Sequence, residues 1–301
     1  MKILFSGSSN KPLAEKIAKS AGVELGKTEI TRFGDDETRA RLEDDVKGKE
    51  VYILQSLCPP TDKNLMELLL MGDAGRRNGG RHLTALIPWL GYSKQDKLFR
   101  EGEAVGAAVV AAAIASAGYD KVITVDLHSE LIKQYWKIPL VELSMYENFL
   151  SASSADKKFS NAVLVAPDLG GLERSREFAA KLNIPLVQVM KERDRVTAVV
   201  NKELKILGDV AGKTCLLIDD SIFSGQTLIY NAALLKSKGA REVICFVTHP
   251  VFDSQTMDRL SKSPIDKLYV SDSVPLPVNP WKKIEVISIA PLFHDILPTP
   301  H

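Results

Sequence analysis

Apolar residues along this chain recur in two alternating rhythms. Short runs rich in Val, Ile and Leu, over residues 3–5, 51–55, 82–89, 122–125, 163–166, 186–190, 215–218 and 243–247, read as strands buried on both faces. Between them, apolar positions three and four apart predict helices over 13–21, 64–77, 105–117, 172–182 and 227–238. Punctuation agrees with this division: Ser9 or Asn10 can cap the first helix, Pro12 suits its first turn, and Gly79-Gly80 ends the second. Prolines 275, 277 and 280 interrupt regular structure before a last strand over 284–289, and a short helix is expected from Pro291. Strands alternating with helices mean βαβ units, so the fold class is α/β with mostly parallel sheets flanked by helices.

The chain's 301 residues point to about two domains. The two halves echo each other: 79–84 and 239–244 both end a helix with glycine and enter an apolar strand just past an arginine. The expected division is 1–144, 145–280, and a C-terminal segment 281–301 that packs back on the first domain. Residues 151–160 (SASSADKKFS) read as a solvated connector.

Charge narrows the list of partners. With 39 Lys+Arg against 38 Asp+Glu the net charge is +1, which speaks against a dedicated nucleic-acid binder and leaves any anionic ligand to local charge. Cys58, Cys215 and Cys245 are too scattered for a disulfide framework, and the N-terminus lacks the apolar region of a signal peptide, so a cytoplasmic protein is expected. The uncharged stretch 104–119 falls short of the ~20 apolar residues a membrane span needs and reads as a buried Ala-rich helix.

In open parallel sheets ligands bind at the carboxyl ends of the strands. The most informative such ending is 216–227, an apolar strand running into Asp219 and Asp220, then Phe223-Ser224-Gly225-Gln226-Thr227, then a helix. Backbone N–H groups and the helix terminus there suit a phosphate, and the two acids suit sugar hydroxyls; a capped acidic turn would leave the same pattern. Gly208 to Thr214 imitates a phosphate-binding P-loop with one spacer too few, and reads as a turn. Asp126-Leu127-His128 follows another strand, and Asp168-Leu169-Gly170-Gly171 a third. Imidazole and carboxylate with phosphate oxygens form a plausible Mg²⁺ environment, although a satisfied core histidine and a turn aspartate fit either motif alone. Lys191, Arg193 and Arg195 form a cationic loop able to neutralise phosphoryl charge, although a mixed charge run also fits a solvated face; Lys94-Gln95 offer a second such loop, and Phe33 stands exposed among Asp35, Asp36 and Glu37 in a manner suited to stacking on a base.

Taken in order, RFGDDE (32–37), 55–77, IPWLGYSKQD (87–96), TVDLHSE (124–130), APDLGG (166–171), GDVAGK (208–213) and LIDDSIFSGQTL (217–228) resemble the ribose-phosphate pyrophosphokinases over nearly the whole chain. The resemblance implies two similar phosphoribosyltransferase-like domains and transfer of the diphosphoryl group of ATP to ribose 5-phosphate, with Mg²⁺, to give PRPP and AMP. It also implies a homo-oligomer built from dimers, hexameric in the family, with no nucleic-acid or membrane partner and with Phe33, Asp35 and Glu37 reaching a neighbouring subunit's nucleotide. By the same resemblance Asp36, Lys94 and Gln95 belong to the ATP side, and His128 and Asp168 to the metal. Lys191 and Arg193 fall on the catalytic loop, and Asp168, Leu169, Gly170 and Gly171 cradle diphosphate. Arg193, Asp219, Asp220 and the turn Phe223 to Thr227 take ribose 5-phosphate. Four positions depart from the family pattern: Asp36 and Gln226 replace glycines, Lys94 an arginine and Phe223 commonly an acid. Two other readings share parts of the pattern, a non-catalytic regulatory paralogue and a phosphoribosyltransferase that consumes PRPP. The presence of Lys191, Arg193, His128 and Asp168 favours an enzyme over the first. The RFGDDE and APDLGG elements favour a synthetase over the second.

Overall fold

The computed structural model describes residues 1–154, 161–167, 171–193, 200–278, 280–294 and 296–297; the side chains at 152–154, 190–193 and 200–205 are not described. The chain divides into two compact units. The first comprises Met1–Met145 with Asp272–Pro275 and Ser288–His301, the second Tyr146–Ser271 with Leu276–Ile287.

In the first unit, β1 (Lys2–Ser6) leads through α1 (Lys11–Ala21) to β2 (Glu24–Leu25). An antiparallel hairpin, β3 (Thr28–Arg32) and β4 (Thr38–Leu42), stands as its own two-stranded sheet. Next come β5 (Glu50–Leu54), α2 (Thr61–Arg77), β6 (His82–Ile87), α3 (Gly106–Ser116), β7 (Lys121–Val125) and β8 (Leu140–Leu143). The main sheet has the order β2-β1-β5-β6-β7-β8 and is parallel throughout. Its strands are apolar on both faces because helices cover both. Ile3, Val51, Ile53, Leu83, Ala85 and Val122 of the strands meet Leu68 and Met71 of α2 and Val110 and Ile114 of α3 in one buried cluster. Helix α1 begins where its sequence signals say: Asn10 Oδ1 accepts from the Leu13 N–H at 3.3 Å, and Pro12 occupies the first turn.

The second unit starts with α4 (Tyr146–Ser154), which takes in part of the stretch expected to be a connector. It continues with β9 (Ala162–Ala166), α5 (Leu172–Leu182), β10 (Leu186–Arg193), β11 (Val200–Leu207), β12 (Thr214–Ile222), α6 (Gln226–Ser237), β13 (Glu242–Pro250), α7 (Thr256–Ser261), β14 (Lys267–Ser271) and β15 (Ile284–Ile287). The sheet order is β11-β10-β9-β12-β13-β14-β15, parallel except for the antiparallel β10–β11 pair. Phe246 anchors one face, stacked on Tyr269 at 4.8 Å between centroids and tilted against Phe149 and Phe178 at 5.4 and 5.9 Å. The P-loop look-alike is a turn joining β11 to β12, with Lys213 N–H donating to the Val210 carbonyl at 3.2 Å.

Both units wind the same way. The first strand crosses through a helix to a neighbour on one side, and after a hairpin the chain returns on the other side. A topological switch point therefore lies between β1 and β5 in the first unit and between β9 and β12 in the second, and such points are where α/β sheets open a crevice for ligands. Among the described residues no helix is long and apolar enough to cross a membrane.

Candidate active site

The second unit's switch point collects the strongest chemistry. β12 runs four residues beyond the expected strand, so Asp219, Asp220 and Ser221 lie within it, with Asp219 opposite Val247 and Ser221 opposite His249. Phe223, Ser224 and Gly225 then turn the chain into α6. Gly225 has φ +73°, a left-handed conformation that glycine adopts without steric cost, and at the start of the helix that follows Ser224 Oγ accepts from the Gln226 N–H at 3.4 Å. Its first N–H groups face the turn, a ready anion site. Gln226 and Thr227 are exposed and Phe223 is 37% exposed.

The turn is braced from behind by residues absent from the sequence expectations. Thr256 Oγ1 donates to the Phe223 carbonyl at 2.5 Å, and Arg259 Nε donates to the Ser224 carbonyl at 2.8 Å. Arg259 in turn grips both Asp253 oxygens at 2.5 Å. Hydrogen bonds from Arg259 and Thr256 hold the Asp253 carboxyl down to about 2. Only the fold reveals this, because β13 delivers Asp253 and α7 delivers the other two.

The acid pair is unequal. Asp220 is buried: its Oδ1 accepts from Arg174 Nη1 at 2.8 Å and its Oδ2 from Ser221 Oγ at 2.9 Å. Asp219 keeps 31% side-chain exposure and lies 3.7 Å from the same guanidinium nitrogen. Desolvation first, and the Asp220 charge second, raise the Asp219 carboxyl well above the usual carboxylate range, while Arg174 opposes them. Desolvation pulls the Arg174 guanidinium down, but interactions with Tyr146 and Asp220 outweigh it and hold the group above its ordinary value.

Gly171 is the cap residue of α5. Asp168, Leu169 and Gly170 lie outside the described residues. Lys191 and Arg193 end β10, where the pairing with β11 shifts register between them; their side chains lie outside the description.

The nucleotide-side candidates occupy three separate supports in the first unit. Phe33 is 54% exposed at the tip of the β3–β4 hairpin, not in a plain loop. The tip is closed by Phe33 N–H to Glu37 carbonyl at 2.9 Å, by Arg32 Nη1 on the Asp36 carboxylate at 2.7 Å, and by Glu37 N–H on Asp35 Oδ1 at 3.2 Å. A cleft of about 780 Å³ beside it is lined by Asp36, Glu37 and Lys63 among others. Lys94 and Gln95 are exposed after β6, in a turn closed by Gln95 N–H to the Tyr92 carbonyl at 3.0 Å. Tyr92 is pinned by its hydroxyl to Asp62. His128 is partly exposed after β7, on a loop fastened by Leu127 N–H to Glu142 Oε1 at 2.7 Å and by Met145 N–H to Asp126 at 3.3 Å.

Backbone strain marks these same loops. Among the described residues the non-glycine positions with positive φ are Asp36 (+70°), Tyr92 (+63°), Asp126 (+34°) and Asn183 (+53°). Asn183 caps a helix, whereas the other three sit within three residues of Phe33, Lys94 and His128. Such strain persists where the surroundings over-determine it, commonly at ligand sites. It also accounts for Asp36: the position needs the conformation glycine takes most easily, and aspartate is among the residues that tolerate it.

A parallel sheet with a switch-point acid, a glycine-initiated helix and strained strand-end loops defines an α/β protein of the phosphoribosyltransferase-like class. Residues 2–118 match the family described as the N-terminal domain of ribose phosphate pyrophosphokinase, and residues 132–281 match the phosphoribosyl transferase domain. A ribose-phosphate pyrophosphokinase of Helicobacter hepaticus is 38% identical over 98% of this chain and 94% of its own length. One from Thermosipho africanus is 38% identical over 98% and 92%. The crystal structure of phosphoribosylpyrophosphate synthetase from Mycobacterium smegmatis superposes with a TM-score of 0.91, at 30% identity and covering 98% and 97% of the two chains. The chain belongs to the ribose-phosphate pyrophosphokinase family.

Proposed function

We propose that this protein transfers the β,γ-diphosphoryl group of ATP to the 1-hydroxyl of ribose 5-phosphate, giving PRPP and AMP for nucleotide biosynthesis in the cytoplasm. The observation that carries the reading is the end-to-end match to enzymes of that name, spanning both units. The α6 N-terminus with Ser224 and Thr227 takes the 5-phosphate, and Asp219 takes ribose hydroxyls. Phe33 stacks on adenine, with Asp35, Asp36 and Glu37 on the base and ribose side. Lys94 and Gln95 meet the nucleotide phosphates, and the 168–171 turn cradles the diphosphate. Phosphoryl transfers of this kind proceed chiefly through positioning and charge stabilisation, so Lys191 and Arg193 stabilise charge developing on the β-phosphoryl and on departing AMP.

Among the described residues no three His, Cys, Asp or Glu side chains converge to hold a metal. A donor set of His128 and Asp168 suits Mg²⁺, which keeps water and substrate phosphates in its sphere, and that ion would neutralise phosphate charge. The protein works as a homo-oligomer built from dimers, a hexamer in the family pattern, in which Phe33, Asp35 and Glu37 serve a neighbouring subunit.

The test is to incubate the purified protein with ATP, Mg²⁺ and ribose 5-phosphate and to follow phosphorus by NMR. Equal amounts of AMP and a sugar C1 diphosphate are expected. Neither product at any phosphate concentration would point to a regulatory paralogue, and base-dependent loss of added PRPP to a transferase.

A further inference from the structure

Register within the second unit's sheet separates the two acids. Ile218 pairs with Phe246, whose ring packs on Phe178 of α5. Alternation along β12 therefore puts Asp220 on the face covered by α5 and Asp219 on the other. Arg174, in the first turn of α5, hydrogen-bonds Asp220 Oδ1 from that face at 2.8 Å, while the same nitrogen lies at 3.7 Å from Asp219 Oδ1, a looser ion-pair contact. The pair is enclosed, with 18% of the arginine side chain and 5% of the aspartate exposed. Both Asp220 oxygens are engaged inside the protein, by Arg174 and by Ser221. At the strand end the Asp220 N–H also donates to Asp219 Oδ1 at 2.9 Å, so whatever fixes Asp220 fixes its neighbour.

We infer that Arg174 is a positioning residue for the sugar-phosphate site, holding Asp220 as an internal anchor so that Asp219 alone of the acid pair presents a carboxylate to the ribose hydroxyls. This rests on the reading of that crevice as the ribose 5-phosphate site. The carboxylate is held in direction as well as distance, because a charge-assisted bond from Arg174 Nη1 takes one oxygen and the Ser221 hydroxyl the other. Lysine keeps the charge but loses the planar, preorganised head that aims it. The consequence is a division of labour invisible in the Asp-Asp sequence: one acid binds, the other anchors.

The experiment measures ribose 5-phosphate binding by calorimetry, KM for both substrates, kcat and melting temperature for wild type, Arg174→Met, Arg174→Lys, Asp219→Asn and Asp220→Asn. Expected for Arg174→Met is a rise of tenfold or more in KM for ribose 5-phosphate, with KM for ATP within about twofold. Arg174→Lys should recover part of the loss. Asp219→Asn should weaken sugar binding without lowering the melting temperature, and Asp220→Asn should lower it. Should Arg174→Met fail to fold, Arg174→Met with Asp220→Asn removes both charges together, the less disruptive change for a buried pair; it too should bind sugar weakly. Equal loss for both substrates in step with the melting temperature, or no rescue by lysine, would overturn the positioning role. Wild-type protein that binds no ribose 5-phosphate and makes no AMP would instead overturn the functional reading, whereas wild-type binding matched by Arg174→Met would overturn only this inference.

Discussion

The switch points of the two units differ in what fills them. In the second unit the crevice is walled by a glycine-led helix start, exposed Thr227 and half-exposed Ser224, with Asp219 retaining 31% exposure. In the first, the equivalent place is packed with the chain's own polar groups. Gln55 lies against the bare α-carbon of Gly7, where any Cβ would meet its Oε1 at 2.3 Å. Its amide nitrogen donates to Glu67 Oε2 at 2.8 Å, and its oxygen accepts from the Ser9 hydroxyl at 2.7 Å. Ser8 Oγ donates to the same Glu67 oxygen at 2.6 Å, and Gln55 and Glu67 are fully buried. One winding thus yields an open crevice and a self-filled one, and the difference lies in a handful of side chains. The hairpins diverge in parallel: β10–β11 sits inside its sheet and carries Lys191 and Arg193, whereas β3–β4 stands apart and carries Phe33.

The hairpin contrast gives the largest expected effect. Lys191→Ala should cut turnover by about 10²- to 10³-fold, the usual consequence of removing one electrostatic donor, with the melting temperature unchanged. AMP release checks it, and near-normal turnover would leave β10–β11 without its catalytic role. Phe33→Ala should raise KM for ATP by roughly 5- to 150-fold, since stacking an aromatic on a base contributes about 1–3 kcal/mol, while kcat and stability hold. Loss of sugar affinity instead would assign that hairpin to the wrong substrate.

The crevice contrast predicts an effect on stability alone. Glu67→Ala removes an acceptor from the buried Gln55 amide, at a cost of about 1–3 kcal/mol, while the exposed Ser8 hydroxyl can turn to water, so the melting temperature should fall by a few degrees. Ribose 5-phosphate affinity should stay within about twofold of wild type. A sugar-binding defect at constant stability would show that the first crevice is not merely filled.

The smallest effect concerns pH. Folding raises the Asp219 carboxyl, through burial and Asp220 against the pull of Arg174, with the buried Cys245 thiol of β13 also nearby. The native state therefore binds this proton more tightly than the unfolded chain, and stability falls as pH rises from the ordinary carboxylate value towards the raised one. Asp219→Asn removes that fall, so its melting temperature should gain on wild type as pH increases across that window. A gain that shrinks with pH would mean that the carboxyl is lowered in the folded protein.

Much of this was legible in the chain. Strands such as Val51–Leu54 and Leu216–Ile218 announced themselves because burial on both faces leaves no polar position, and Asn10 and Pro12 marked a helix start through local chemistry alone. The hairpin β3–β4 did not, because TEITR and TRARL are half-exposed and mix charge with threonine as a loop does. β11 hid for a similar reason, its sequence VNKELKIL alternating in a way that a solvated segment shares. Arg174 carried no signal: in a helix reading LERSREFAAKL it looks like any surface cation, and only the sheet's register brings it to Asp220. The Asp36 departure from glycine became intelligible only with its φ of +70°.

Counting ribose 5-phosphate sites by equilibrium dialysis tests the contrast between the two crevices most directly. One site per chain is predicted, lost in Gly225→Val, where a β-branched residue is forced to positive φ at the head of α6, and kept in Gln55→Ala. Two sites per chain, or one site that survives Gly225→Val and disappears with Gln55→Ala, would contradict the account.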